Sequence, residues 1–403
     1  MRYAIRRYNA EGLAGLHAIE AAIIEARENA MASSNLIRRI TLSIPVISDK
    51  TRWAFVQIET KSGSVGVGEA TLNGQEAALG LALRRIAPSL IEGGVVPGLA
   101  RRVAHEELPD AAIVSALDQA LNDLAARRHG KSLCEMLGQR RATVGLYANI
   151  NRRTEDRTPR GFVDSARLAL AHGFQALKLA PFDEVTPATA SLALASKGIE
   201  RIAAVKAVLP ADAKLYVDCH WRFTPAIAAE MIAPLRACGV TWFECPIPEA
   251  EEHIADLRSL RHQANAAGMF LVGLEKGIGS ATFETFAKAG AYDVMMPDIK
   301  YIGGIDVMLK TADILGRYGV IVSPHNPTGP VCHAASLAIC GALESVGLLE
   351  VQFDETPLFD KLVGGVLTQP REGQVMVPTS PGLGVALDMQ ALRALPCDYV
   401  EIY

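Results

Sequence analysis

Seven polar residues of this sequence each close a short apolar run. They are Lys178 in QALKLA, Asp218 in KLYVD, Glu244 in VTWFE, Glu275 in MFLVGLE, Asp298 in YDVMMPD, His325 in GVIVSPH and Glu350 in LLEVQFDE. From Asp218 onward the spacings are 26, 31, 23, 27 and 25 residues, one strand-plus-helix unit apiece. Carboxylates, an ammonium and an imidazole are the groups that hold cations and move protons. Asp218, Glu244 and Glu275, brought to one place, would repel one another, and a bound cation removes the repulsion. A donor set of oxygens without Cys or His suits a hard divalent ion, Mg2+ ahead of Mn2+. The competing reading, that each acid caps the helix after it, explains one such residue more easily than three in succession.

Strand parity extends the set, because residues i and i+2 share a face. It aims His220 into the same mouth as Asp218 and turns Cys219 toward surrounding helices. It also aims Lys178 inward with the small Ala180 above it, and puts Lys300 on the face of Asp298 as a cation for carboxylates. Asp298 and His325 end neighbouring strands, the arrangement in which a carboxylate orients an imidazole as a general base. Around this centre, Asn149 and Asn151 follow the first strand as hydroxyl binders or as turn residues. Trp221 and Arg222 follow His220 as pocket lining or as packed and solvated side chains. Glu355 competes with Glu350 for the end of the eighth strand. The other seven of the nine histidines have no comparable position.

The elements that must carry these residues are legible as texture. From VGLYANI at residues 144–150 to LLEVQFDE, eight apolar runs alternate with helix-sized segments such as GFVDSARLALAHG. Repeated βα units mean a parallel sheet, and eight of them in about 210 residues point to a closed (β/α)8 barrel, whose active site lies at the C-terminal strand ends. Before it, LIRRITLSIPV and RWAFVQIETKSGSVGVGEA predict a small antiparallel sheet, followed by two helical patterns. The run Gly63-x-x-Gly66-x-Gly68 sits in that hairpin with no helix after it, which makes it turn chemistry and no dinucleotide loop. The expected organisation is an N-terminal extension over 1–33, an α+β capping domain over 34–142, the barrel over 143–356, and a Pro- and Gly-rich segment over 357–403 that packs back on the capping domain.

Composition narrows the function class. The chain has 403 residues, half of them hydrophobic and 21% charged, far from the disordered corner. Its 40 basic and 44 acidic residues show no basic stripe, which argues against nucleic acid. No apolar run approaches the ~20 residues of a membrane helix, and the seven cysteines form no Cys-x-x-Cys pair. A cytoplasmic enzyme with free thiols acting on a small molecule is expected.

With VDCH, WFECPIPE, VGLE, MMPDIKYIGGI and SPHNPTGP in order, the sequence resembles the enolase superfamily, specifically its mandelate racemase subgroup, from residue 36 to PGLGVALD. The resemblance implies a capped (β/α)8 barrel, Mg2+ on Asp218, Glu244 and Glu275, and a His325–Asp298 dyad that removes the α-proton of a carboxylate substrate. It implies homo-oligomers as well. Muconate-lactonizing relatives carry a lysine base where this chain has Asp298, and racemases carry Lys-x-Lys where it has Lys178-Leu179-Ala180. The Asp-x-His of the third strand is similar to that of galactonate dehydratase-like sugar acid dehydratases, where the His is the general acid. Proton removal beside a carboxylate concentrates negative charge on oxygen, which a divalent cation and Lys178 offset. Glu350 is then a hydrogen-bonding partner of the substrate carboxylate. The expected reaction is β-elimination of water from a polyhydroxy acid to a 2-keto-3-deoxy acid. The alternatives are an epimerase or cycloisomerase using His325 with or without His220, and a non-catalytic carboxylate-binding relative. Substrate choice is assigned to the capping domain, around Glu69 to Asn73.

Overall fold

Ile37, Ile40, Leu42 and Ile44 of β1 (Ile37–Pro45) are buried; Arg38, Arg39 and Thr41 are more exposed, and from Leu42 onward both faces are covered. The chain returns through β2 (Phe55–Thr60) and, across a turn whose Gly63 has φ +83°, through β3 (Val65–Glu69), all antiparallel. The computed structural model describes residues 35–91, 94–98, 107–367 and 370–403; the N-terminal extension expected over 1–33 lies outside these. Against the sheet pack α1 (Glu76–Ile86) and α2 (Leu108–Arg128). From Ala111 to Ala126 every residue of α2 is buried. Its polar residues therefore need partners. Ser115 Oγ accepts from Gly303 N, and Asp118 accepts from Ile305 N, at the entry to the helix Ile305–Arg317. Gln119 bonds the backbone of Glu69, and Asp123 accepts from Val67 N and Leu383 N. One helix thus joins the small sheet, the barrel and the C-terminal segment.

The barrel strands are β4 (Thr143–Asn149), β5 (Ala176–Leu179), β6 (Lys214–Asp218), β7 (Trp242–Glu244), β8 (Phe270–Gly273), β9 (Val294–Met295), β10 (Ile321–Val322) and β11 (Leu349–Gln352). All pairings among them are parallel, in the order β10-β9-β8-β7-β6-β5-β4-β11. The two ends of that order meet: Gly347 N donates to Val322 O at 2.7 Å, and Ser323 Oγ to Leu348 O. This is the closed barrel the eight apolar runs predict. Its interior is plugged by Tyr147, Tyr216 and Trp242, with Tyr216 stacked on Trp242 at 4.0 Å between ring centroids. Strands buried on both faces have to be apolar throughout, which is why they read as unbroken runs. In the C-terminal segment, β12 (Gln374–Met376) pairs with β4, and β13 (Cys397–Ile402) completes the small sheet beside β1. No described helix is long and apolar enough to cross a membrane. All seven cysteines are free thiols.

Candidate active site

Above the aromatic plug, the next inward positions of the strands carry the polar cluster. Lys178, third residue of β5, is 1% exposed and pairs with Glu244 Oε1 at 2.5 Å, Glu350 Oε1 at 2.9 Å and Asp218 Oδ2 at 3.8 Å. A buried ammonium survives only among such partners; Glu244 and Glu350 outweigh its desolvation and hold its pKa well above the lysine range. One lysine leaves the three carboxylates in excess. Burial drives the Glu244 pKa up more than Lys178 pulls it down. Asp218 is held below the usual carboxylate range, because His220 and Lys178 overcome its burial.

His220 lies beside Asp218, with Nε2 at 2.9 Å from Oδ2 and its backbone N–H donating to Oδ1 at 2.9 Å. The route there differs from the parity argument. β6 ends at Asp218, and His220 and Trp221 take positive φ of 47° and 56°, so a tight turn swings the imidazole back over the carboxylate. Cys219 is buried in the surrounding core. The same holds for Lys300: β9 stops at Met295, and Lys300 reaches Asp298 Oδ2 at 3.1 Å from a turn, not along a shared strand face.

Across the mouth, His325 Nδ1 lies 2.7 Å from Asp298 Oδ2. Burial alone would raise Asp298, but Lys300 and His325 hold its pKa down. With Nδ1 turned to Asp298, the other ring nitrogen, Nε2, faces the mouth and lies 3.1 Å from Glu275 Oε2. Glu275 Oε2 and Glu244 Oε2 are buried without a hydrogen-bond partner. Such orphans call for a donor or a cation. Among the described residues, Asp218, Glu244 and Cys245 bring one potential ligand atom each within 4.8 Å of one another, with Glu275 outside that radius. Two orphaned carboxylate oxygens and a surplus of negative charge fit a hard divalent cation. None of the three acids caps a helix: Thr224 caps Pro225–Ala237, and the helices Ile254–Ala266 and Gly279–Lys288 have no side-chain cap.

Glu350 lies inside β11, fully buried, and accepts from Asn149 Nδ2 at 2.7 Å and Asn326 N at 3.3 Å. Glu355 stands apart, paired with Arg152 at 3.2 Å and accepting from Thr51 of the capping unit. Asn151 turns away to Arg157 Nη1 at 2.9 Å. Arg222 Nη1 is taken up by the carbonyls of Val185 at 2.6 Å and Asp183 at 3.3 Å, whereas Trp221 sits under Lys276 Nζ at 4.1 Å. Glu69, at the start of the segment read as a specificity loop, is fully buried and bound to Thr328, Gly329 and Cys332. Asn326 escaped the sequence reading although it follows His325 directly. So did Glu249, whose signal was only an acid five residues past Glu244. Burial raises Glu249 to about 7, and it accepts from Tyr292 Oη at 2.8 Å.

Comparison with known proteins was made against this geometry. A family described as "Enolase C-terminal domain-like" matches residues 161–391, and "Mandelate racemase / muconate lactonizing enzyme, N-terminal domain" matches residues 28–138. A D-gluconate dehydratase of Thermoproteus tenax is 28% identical over 367 residues, covering 87% of this chain and 72% of that protein. A D-xylonate dehydratase of Haloferax volcanii is 25% identical, covering 85% of each. A D-galactonate dehydratase of Verminephrobacter eiseniae is 28% identical over 302 residues, covering 72% of this chain and 75% of that one. Among solved structures, an enolase superfamily member from Salmonella Typhimurium superposes with a TM-score of 0.79 at 20% identity, over 91% of this chain and 99% of that one. A mandelate racemase/muconate lactonizing enzyme from Sulfitobacter gives 0.80 at 22% identity, over 90% and 95%.

Proposed function

The chain belongs to the mandelate racemase/muconate lactonizing enzyme family of the enolase superfamily, and from that premise we propose that it is a Mg2+-dependent sugar acid dehydratase. Asp218, Glu244 and Glu275 would hold the ion. When bound, it would lend positive charge to the carboxylate end of the substrate, where negative charge builds as the α-proton leaves.

The remaining work falls to the chain's own side chains. His325 Nε2, its lone pair kept available by the Nδ1–Asp298 bond, takes the α-proton. Lys178 offsets charge on the substrate carboxylate, and Glu350, an acceptor from Asn149 that Lys178 holds below the usual carboxylate range against its burial, keeps that ammonium in place. His220 gives a proton to the β-hydroxyl, which leaves as water, and the enol becomes a 2-keto-3-deoxy acid. The observation that carries this reading is the siting of the two histidines. His220 follows the third barrel strand and His325 the seventh, four strands apart in a ring of eight. A substrate lying between them would meet an acid on one side and a base on the other. With Ala180 in place of a second lysine, a racemase's pair of bases is missing. The dehydratase names of the relatives support the same reaction class.

The test is a screen of purified protein with Mg2+ against aldonic, aldaric and uronic acids, following 2-keto acids by semicarbazide absorbance. We expect turnover that EDTA abolishes and that His325→Asn lowers by about 10²–10⁴-fold, the range of a lost general base, with Mg2+ binding unchanged. Deuterium entering recovered, C2-inverted substrate without keto acid would replace this reading with an epimerase.

A further inference from the structure

Gln352 is the last residue of β11, two positions beyond Glu350 and therefore on the same inward face. In the barrel register it stands opposite Asn149, and Asn149 stands opposite Lys178. Three inward side chains in successive strands thus form one arc of the mouth. Gln352 is 6% exposed, and its Nε2 donates to the Asn149 carbonyl at 3.3 Å, while its Oε1 is buried with no partner. The amide cannot be turned over to remove the vacancy, because Oε1 would then face the Asn149 carbonyl, acceptor against acceptor. The neighbouring amide does not fill it: Asn149 Nδ2 directs a hydrogen at Glu350, and none of its donors reaches Gln352 Oε1. What remains at this point of the ring is one acceptor whose lone pairs lack a hydrogen.

We propose that Gln352 Oε1 receives a hydrogen bond from a non-reacting hydroxyl of the substrate and is a specificity-determining residue of the site; this rests on the sugar acid reading above. The chemistry selects the ligand group. A lone acceptor welcomes a hydroxyl and refuses a carboxylate or ketone oxygen, which would meet it with a second set of lone pairs. A buried polar group left unpaired is the strongest discriminator a pocket has against an analogue lacking the matching group. Gln352 therefore demands a hydroxyl at one carbon of the polyol chain and disfavours a second carboxylate there.

The test compares wild type with Gln352→Met, which keeps the length and removes the acceptor, and Gln352→Asn, which keeps the polarity and retracts it. Each is assayed on the panel acid that wild type accepts and on its single-deoxy analogues, by kcat/KM and by binding calorimetry with Mg2+. For the parent acid, kcat/KM in either variant should fall about tenfold, mostly through KM. One deoxy analogue should show no such fall, since its hydroxyl is the one the residue binds. An equal fall on every analogue would mean a structural role and overturn the proposal, as would no fall at all. A wild type that turns over a panel acid while the variants match it sinks this inference alone. A wild type that neither binds nor turns over any acid of the panel sinks the dehydratase reading with it.

Discussion

A buried side chain is held in one protonation state by its surroundings, and His333 shows the consequence for stability. It is 5% exposed, accepts from Asn326 Nδ2 at 2.9 Å and packs edge-on against Phe359. Burial lowers its pKa from 6.5 to about 4. Between those values the unfolded chain carries a proton that the folded chain does not, so the folded state gains stability as pH rises through that window and loses it on acidification. At 1.36 kcal/mol per unit, the loss at pH 4 is about 3 kcal/mol. Urea unfolding followed from pH 7 to 4 should give this slope in wild type, and His333→Gln should flatten it by that amount; parallel slopes would contradict the assignment. Asn326 links the same ring to Glu350, whose backbone carbonyl it bonds at 2.9 Å, so the neutral imidazole also steadies the floor of the site.

At the level of elements, the contact between β3 and α2 depends on missing side chains. A Cβ on Gly68 would lie 2.0 Å from the carbonyl oxygen of Ala116, and one on Gly66 2.2 Å from that of Ala120. Glycines at i and i+2 of a strand meet alanines at i and i+4 of a helix, and the backbones touch. Gly68→Ala should therefore cost about 1–3 kcal/mol as the helix is pushed off the sheet, whereas Gly316→Ala, in a helix with open space around it, should gain up to about 1 kcal/mol. Denaturant midpoints of the two variants decide the point, and equal shifts would refute it. The turn reading of this glycine run fits Gly63 alone; Gly66 and Gly68 are packing residues, a distinction that needs the helix to be in place. Much of the barrel was legible for a related reason. Parallel strands buried on both faces give apolar runs, and an ionisable residue at each run's end has no other place than the mouth. Parity misled where strands end early. Cys245 and Leu274 take φ of 43° and 65°, so Glu244 and Glu275 are followed or preceded by backbone that no two-residue repeat describes. The central seat of Lys178 among Glu244, Glu350 and Asp218 follows from barrel register, which spacing alone does not supply.

At the scale of the whole molecule, the capping unit completes the barrel's own structure. The helix Pro330–Ala342 begins at Gly329, which has no side chain to cap it. Its orphaned N–H groups are met from the other unit: Glu69 Oε1 accepts from Gly329 N at 2.7 Å and from Thr328 Oγ1 at 2.6 Å, and Oε2 accepts from Cys332 N at 2.9 Å. A carboxylate at a helix N-terminus also gains from the helix dipole. Gly329 is required for the approach, since a Cβ there would meet the Glu69 oxygens at 2.8 and 2.9 Å. The segment so pinned starts three residues after His325, which couples the seating of the capping sheet to the placement of the proposed base. Glu69→Ala would leave several buried donors unpaired, at a cost of roughly 3–5 kcal/mol, and Glu69→Gln, which retains one acceptor oxygen, should lose less. Amide exchange separates this clamp from general destabilisation. In Glu69→Ala the Gly329 and Cys332 amides should exchange well ahead of the α2 amides, while a matched destabilisation by Gly68→Ala should expose α2 first. If both variants release the same amides in the same order, the capping unit and the loop after His325 open together with the rest of the fold, and Glu69 is packing without a coupling role.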